Sequence, residues 1–387
     1  MAALFSGGFS TFALLYSAQP VLPTFSREYH LSPAASSLAL SATTGTLAFA
    51  LLIAGTISDV FGRKRVMVVS LAASSAIMVL AAFAQDWGQL IALRALTGLA
   101  LSGLPAVAMA YLADEMAASA IGFAMGLYIA GNTLGGLTGR FIGAISADYD
   151  AWRSGFAVIG FIGLISVVLF AKALPESRAF SPVRPNLAAL LRSLIGHFAD
   201  PGLRLLFLTG FLVMGCFVTV YNYIGFRLLE PPFSLSQTQV GLIFLLYLIG
   251  GVSSTIMGDL SSRYGRRRVL WIALTIMLFG VVVTLANNLP LIILGVGLIT
   301  VGFFGAHSIA SSWVGLRPEN AKAQAASLYL LFYYLGSSVV GTMGGVFYAR
   351  DGWNGVAALV GGLIVLGVAV SLRLARVPPP KWMRGSR

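Results

Sequence analysis

Three side chains that can carry positive charge fall inside long apolar stretches of this sequence: Arg94, Arg140 and His307. No Asp or Glu sits at comparable depth. A charge in an apolar medium is costly unless it is paired or wetted, so each must be satisfied by carbonyls, water or a ligand. An arginine can grip an anion through its planar fork. A histidine can exchange a proton near neutral pH, although a buried neutral histidine that only hydrogen-bonds is equally consistent with His307. Gln19, Asn132, Asn222, Tyr16, Tyr221, Tyr329 and Tyr333 lie in stretches of the same kind, and Gln19 and Pro20 fall at a depth similar to Arg94. Amides beside amphipathic aromatics suit a mixed polar and apolar pocket, while tyrosines also pack routinely between helices. Other chemistries lack their residues. There is no Gly-x-x-x-x-Gly-Lys loop to cradle a nucleotide. The His, Cys and acidic clusters of an integral-membrane enzyme are missing. The single cysteine, Cys216, excludes an intramolecular disulfide. No metal or cofactor is expected.

The elements that position these residues follow from composition. Of 387 residues, 58% are hydrophobic and only 10% charged, and the mean hydropathy is +0.88. A soluble domain carries about 25% charged residues, so a water-soluble enzyme is excluded, as is a disordered chain. Long unbroken apolar runs exclude the alternation of a membrane β-barrel. A spanning helix needs about 20 mostly apolar residues. Twelve segments qualify: 4–23, 36–57, 66–84, 90–112, 120–143, 153–171, 204–225, 238–258, 269–287, 289–312, 324–347 and 353–372. The expected fold is all-α and integral to the membrane, with twelve transmembrane helices in two six-helix pseudo-symmetric halves. The expected organisation is a first bundle at 1–171, a linker at 172–203 with a short surface helix near 186–197, a second bundle at 204–373 and a tail at 374–387. No cleavable signal peptide is needed.

The net charge of +12 is distributed by side. Nineteen basic residues fall in one alternate set of connections, including Arg63, Lys64, Arg65, the linker, Arg263, Arg266, Arg267, Arg268 and the tail. Four fall on the other: Arg27, Arg153, Arg227 and Arg350. The positive-inside rule then puts the first set and both termini in the cytoplasm. Internal repeats accompany this pattern. Residues 59–66, DVFGRKRV, recur as SRYGRRRV at 262–269, and Asp150-Ala151-Trp152 recurs as Asp351-Gly352-Trp353. Leu127-Tyr128 and Leu134-Gly135 recur as Leu328-Tyr329 and Leu335-Gly336. Parallel repeats of this kind place a binding site near the midplane.

The loop Gly55-Thr56-Ile57-Ser58-Asp59-Val60-Phe61-Gly62-Arg63-Lys64-Arg65 resembles the GxLaDrxGRkr signature of the major facilitator superfamily. The resemblance implies a cytoplasmic gate in which Asp59 and Arg63 act, closing against the N-terminal end of the eleventh helix. Ser262 stands where the second copy would carry the acid, so that copy is expected to serve topology more than gating. Arg94-Ala95-Leu96-Thr97-Gly98 resembles the family's RxxxG motif, and leaves open a structural arginine on first-span carbonyls or a direct part in coupling or anion binding. Gly131, Gly135, Gly139 and Gly143 recur every fourth residue and form a flat face for close helix approach. This run resembles the glycine-rich fifth helix of the superfamily's antiporters, except that Arg140 stands where a proline usually follows the glycine. Arg140 near the end of its span can snorkel or pair structurally, or contact substrate.

Together with Tyr221-Asn222-Tyr223, Gly302-Phe303-Phe304-Gly305-Ala306-His307-Ser308 and Ser327–Ser338, the Gly-Arg pair is similar to the acriflavine-sensitivity group of bacterial efflux transporters. The resemblance implies a multi-pass protein of the bacterial inner membrane that moves a small organic compound by alternating access, as proton-coupled drug or metabolite efflux. A specific sugar or organic-anion transporter is the alternative, and a non-transporting receptor or scaffold is the reading from another class. The intramembrane arginines favour an anionic or neutral substrate. Expected partners are that substrate, protons and lipid, with no nucleic acid and a monomeric state. The expected substrate and proton cavity comprises Tyr16, Gln19, Arg94, Asn132, Arg140, Tyr221, Asn222, His307, Tyr329 and Tyr333.

Overall fold

A computed structural model describes residues 2–115, 118–177, 187–380 and 382. Arg178, Arg184, Lys381, Arg384 and Arg387, with the middle of the expected linker and the end of the tail, lie outside the described residues. Among those described there is helix and no strand. The helices in chain order are α1 (Ala2–Tyr16), α2 (Leu22–Glu28), α3 (Pro33–Phe61), α4 (Arg63–Ala81), α5 (Trp87–Leu101), α6 (Gly103–Glu115), α7 (Ala118–Asp148) and α8 (Trp152–Ala173). They continue as α9 (Leu187–Gly196), α10 (Pro201–Leu229), α11 (Gln237–Gly241), α12 (Tyr247–Tyr264), α13 (Arg266–Val283), α14 (Leu289–Leu316) and α15 (Lys322–Arg376). Eight helices among the described residues are long and apolar enough to cross a membrane. The 55-residue α15 leaves helical geometry at Asp351 and Gly352, the latter at φ 57°.

Local chemistry sets the boundaries. Ser32 caps α3 through the Ala35 amide at 3.1 Å, with Pro33 beginning the helix. Asp86 caps α5 through the Gln89 amide at 2.9 Å, and Asn288 caps α14 through Leu291 at 3.1 Å. Each cap satisfies an amide that the first turn leaves open. Gly62 and Gly265 turn the chain at φ 92° and 90°, where a side chain would be strained. Three expected spans are interrupted, the eighth by a 3-10 stretch at Leu242–Leu246 between α11 and α12. The first is broken after Tyr16, because Pro20 has no N–H to continue the ladder. The fourth is interrupted at Ser102, just ahead of Pro105.

The chain divides into two compact units, comprising the described residues of Met1–Pro185 with Leu228–Phe244, and of Asn186–Arg227 with Leu245–Arg387. In the first unit α7 lies along α1. A Cβ built at Gly131, Gly135, Gly139 or Gly143 would collide with the carbonyl oxygen of Phe5, Phe9, Ala13 or Ser17 in turn. The glycines therefore let one backbone rest on the other. Gly160 and Gly163 bring α8 against Val79 and Ser75 of α4 in the same way. The segment ahead of α11 also joins this unit. The Asp148 carboxylate accepts the amides of Gln237 at 2.8 Å and Thr238 at 3.0 Å, capping α11 beside the Ser236–Gln239 capping box. In the second unit Gly336 on α15 meets the Phe211 carbonyl of α10, and Gly302 on α14 meets the Ala273 carbonyl of α13. Gly336 is the repeat counterpart of Gly135, so the same close approach occurs within each unit.

Two outcomes follow from this packing. Gly135→Ala should lower stability by about 1–3 kcal/mol, the usual size of an overpacking strain. Gly126→Ala, with open space at its Cβ, should be near neutral, and thermal unfolding in detergent measures both. The second outcome concerns Asp148. Burial pushes its carboxyl up, but hydrogen bonds from Thr238, Ser236 and Gln237 outweigh that and hold it below the usual carboxylate range. A lowered folded pKa means the cap contributes fully above the ordinary carboxylate pKa and is lost as pH falls through the lowered value. The Gln237 and Thr238 amides should therefore lose exchange protection between about pH 6 and below about pH 3. Asp148→Asn should remove the step, and equal protection at both pH values in the unaltered protein would rule the cap out.

Candidate functional site

In the first unit the break in the first span organises the polar residues. Where α1 stops at Tyr16, the carbonyls of its last turn lose their helical partners. Ala13 recovers one from the Ser17 amide at 3.2 Å, and Leu14 gains a weak bond from Ser17 Oγ at 3.3 Å. Arg94 on α5 serves Leu14 and Leu15. Its Nη1 donates to Leu14 O at 3.1 Å, Nη2 to Leu15 O at 2.9 Å, and Nε to Ala39 O of α3 at 2.9 Å. Nη1 also faces Met78 Sδ at 3.5 Å. The guanidinium is fully enclosed at 0% exposure. It sits at the negative end of the α1 dipole, where a cation is favoured. Arg94 thus ties α1, α3, α4 and α5 together at one point.

Arg140 on α7 meets the same break from another side. Its Nε donates to Gln19 Oε1 at 2.8 Å and Nη1 to Gly136 O at 3.0 Å. The guanidinium lies 4.2 Å from the Tyr16 ring centroid and 5.1 Å from that of Phe244. It is 2% exposed, so it does not snorkel to the surface, because neutral partners hold it inside. Gln19 therefore serves Arg140 and not Arg94, although sequence depth set it beside Arg94. Asn132, about two turns earlier on α7, has a buried Oδ1 with no hydrogen-bond partner, facing Gly8 of α1.

In the second unit an aromatic cluster spans α10, α12, α14 and α15. The His307 Nδ1 lies 3.0 Å from the Tyr329 hydroxyl. Its ring stacks at 5.9 Å on Phe303, and the Tyr333 ring centroid is 4.7 Å away. Phe303 stacks on Phe217 at 3.8 Å, and Phe217 continues to Tyr221 at 4.9 Å and Tyr247 at 5.2 Å. Tyr221 shares a hydrogen bond of 2.8 Å with Thr300 Oγ1. Asn222 is buried next to it on α10. Sequence reading missed Phe217, Tyr247, Phe244 and Thr300. The spacing Phe217–Tyr221, one helical turn, is the signal that could have found the first.

The motif residues divide. Gly62 forms the turn between α3 and α4. Lys64 pairs with Glu176 at 3.1 Å. Asp59 is exposed, and Gly55 has open space at its Cβ. The structure thus gathers Tyr16, Gln19 and Arg140 into one cluster and His307, Tyr329, Tyr333 and Tyr221 into another. Arg94 stands apart as a helix clamp.

Arg94→Ala should leave the Leu15 carbonyl unsatisfied and Leu14 with only its weak Ser17 bond, at about 1–3 kcal/mol per buried group. The expected result is a large loss of melting temperature and yield, with partial recovery in Arg94→Lys, which lacks the planar fork. Arg140→Gln should lose far less. Melting curves of the three purified variants make the comparison, and an unchanged curve for Arg94→Ala would remove the clamp.

The profile of the Major Facilitator Superfamily matches residues 4–230 and 228–386. The Inner membrane transport protein YnfM of Escherichia coli (strain K12) is 48% identical over 374 residues, covering 97% of this chain and 90% of that protein. The 3-(3-hydroxy-phenyl)propionate transporter of the same strain is 27% identical over 343 residues, covering 84% and 81%. Among solved structures, that of the nucleoside transporter NupG (D323A mutant) is similar in fold, with a TM-score of 0.78 at 17% identity over 96% of this chain and 98% of that one.

Proposed function

The chain belongs to the Major Facilitator Superfamily, and on that premise we propose that it is a secondary active transporter, not an enzyme, carrying a small organic compound by alternating access. In this reading the chain crosses the bacterial inner membrane twelve times in two six-helix halves, with both termini in the cytoplasm. The two halves are residues 1–171 and 204–373, joined by the linker 172–203 and followed by the tail 374–387. The charge bias of the connecting loops supports that orientation. Asp59 and Arg63 act in the cytoplasmic gate. Transport is proton-coupled efflux by a monomer working as an antiporter, and His307, bonded to the Tyr329 hydroxyl, carries the proton.

The observation that carries the reading is Arg140. It is a buried cation held by an amide, a carbonyl and aromatic faces, in a chain whose apolar spans hold no acid. Such a cation favours an anionic ligand beside it and repels a cationic one. Asn132 Oδ1 adds an acceptor for a substrate donor. The aromatic cluster around His307 offers ring faces to an apolar body. The same features favour a second reading, a specific organic-anion transporter, and the similarity to a protein named for an aromatic propionate supports it.

Purified protein in liposomes, with and without an imposed pH gradient, tests these readings against aromatic carboxylates and cationic dyes. Arg140→Gln should weaken apparent affinity for the carboxylate about tenfold, the loss expected for one charge-assisted hydrogen bond. His307→Ala should abolish the dependence on pH gradient while sparing exchange down a substrate gradient. Transport of cationic dyes that is indifferent to both substitutions would overturn the assignment.

A further inference from the structure

The two copies of the basic loop each open onto a cavity, and the copies differ in charge. In the first unit a cavity of about 620 Å³ is lined by Gly62, Arg63, Lys64, Arg65 and Glu176. Here the protein supplies its own anion, since Glu176 Oε1 lies 3.1 Å from Lys64 Nζ. In the second unit a cavity of about 640 Å³ is lined by Ser262, Gly265, Arg266, Arg267, Trp313 and Pro379. Moving 203 positions along the sequence takes Gly62 to Gly265, Arg63 to Arg266 and Lys64 to Arg267. The same step takes Asp59 to Ser262 and Glu176 to Pro379. The cations are kept and both acids are gone.

The second cavity is also short of acceptors. The Nε of Arg266 is buried and has no hydrogen-bond partner, a costly state for a charged donor. The first turn of α13 begins at this wall and has no side-chain cap, so its amides add partial positive charge. Asp259 is committed to Arg263 at 2.9 Å, and Asp200 to Arg317 at 2.8 Å. The remaining wall is held in place. Arg267 Nη2 donates to Val377 O at 2.9 Å and Arg317 Nη2 to Pro378 O at 3.3 Å, which pins the strap carrying Pro379. Trp313 gives an apolar side.

We infer that this cavity is an anion site for a phosphate group, in which the ligand takes the place that Glu176 fills in the first copy. The phosphate accepts from the guanidinium groups of Arg266 and Arg267 that line the cavity and from the open amides of α13, donors suited to a phosphoryl oxygen. The group belongs to a phospholipid headgroup or to a free phosphate. Its role is separate from transport of the substrate, so the site stands whether or not the reading of Arg140 does.

Delipidated full-length protein in detergent is titrated with phosphatidylglycerol, with phosphatidylcholine and with inorganic phosphate. Trp313 fluorescence, taken as the difference from Trp313→Phe, and the rise in melting temperature report binding. Saturation by phosphatidylglycerol alone identifies a lipid headgroup, and saturation by inorganic phosphate identifies a free anion. Either supports the site if Arg266→Gln and Pro379→Glu each weaken binding at least about fivefold, the loss expected for one charged hydrogen bond. Pro379 is exposed, so Pro379→Glu should fold normally and carries the test if Arg266→Gln does not. Failure of both phosphate probes to saturate, equal binding of phosphatidylcholine and phosphatidylglycerol, or unchanged affinity in Pro379→Glu would overturn the inference.

Discussion

A helix that stops inside an apolar medium leaves carbonyls that neither water nor lipid can satisfy. In the first unit that constraint falls on Leu14 and Leu15, and the guanidinium of Arg94 answers it. Much else depends on this contact. The break frees Gln19 to leave the helix ladder in a short turn and reach Arg140. It sets the Tyr16 ring beneath the same guanidinium. Fixing the end of α1 also fixes the face on which α7 rests. One arginine therefore serves as a structural cap, and a second, presented by the same break, is held at Nε and Nη1 by the Gln19 amide and the Gly136 carbonyl.

The second unit solves its polar problem differently. Its buried hydroxyls and half-buried imidazole are satisfied largely by one another and by single carbonyls: Tyr221 with Thr300, His307 with Tyr329, Tyr223 with Gly341. Around them the stacked rings of Phe217, Phe303 and Tyr333 make an adaptable apolar wall. The two arginines inside the apolar spans thus fall in the first unit and the His307 ring cluster in the second, despite the repeat that relates their sequences. Repeats preserve the packing positions, such as Gly135 and Gly336, while the side chains that carry chemistry diverge.

What could be read from residues alone follows the same line. Apolar length and the glycine period are properties of one helix, so the helical stretches and the α7 face were legible. The loop motif was legible because its glycine, acid and bases are adjacent in sequence. The partners of Arg94 and Arg140 were not. Depth along a span ranks residues by height but carries no information on rotation, and rotation decides that Gln19 turns to Arg140. Pro20 was visible, yet the cap it demands comes from a residue 74 positions further on. The aromatic cluster was half visible, since Phe303 and His307 share a helix face while Phe217 and Tyr247 come from elsewhere.

At Gly131, Gly135, Gly139 and Gly143 the contact sets glycines of α7 against carbonyl oxygens on the α1 side, and only at Gly8 of α1, against the Tyr128 carbonyl of α7, are the roles reversed among these contacts. A carbonyl is present whatever the side chain, whereas the missing Cβ belongs to glycine alone. The two partners of this interface are therefore unequal before mutation. Phe5, Phe9, Ala13 and Ser17 can drift in side-chain identity without disturbing the seam, and each is free to be recruited to another task on its outward face. The glycines opposite them have no such latitude. Gly8 apart, the seam leaves variation to α1, the same helix whose broken end presents Tyr16 and Gln19, so new ligand preferences can arise there without separating the two helices.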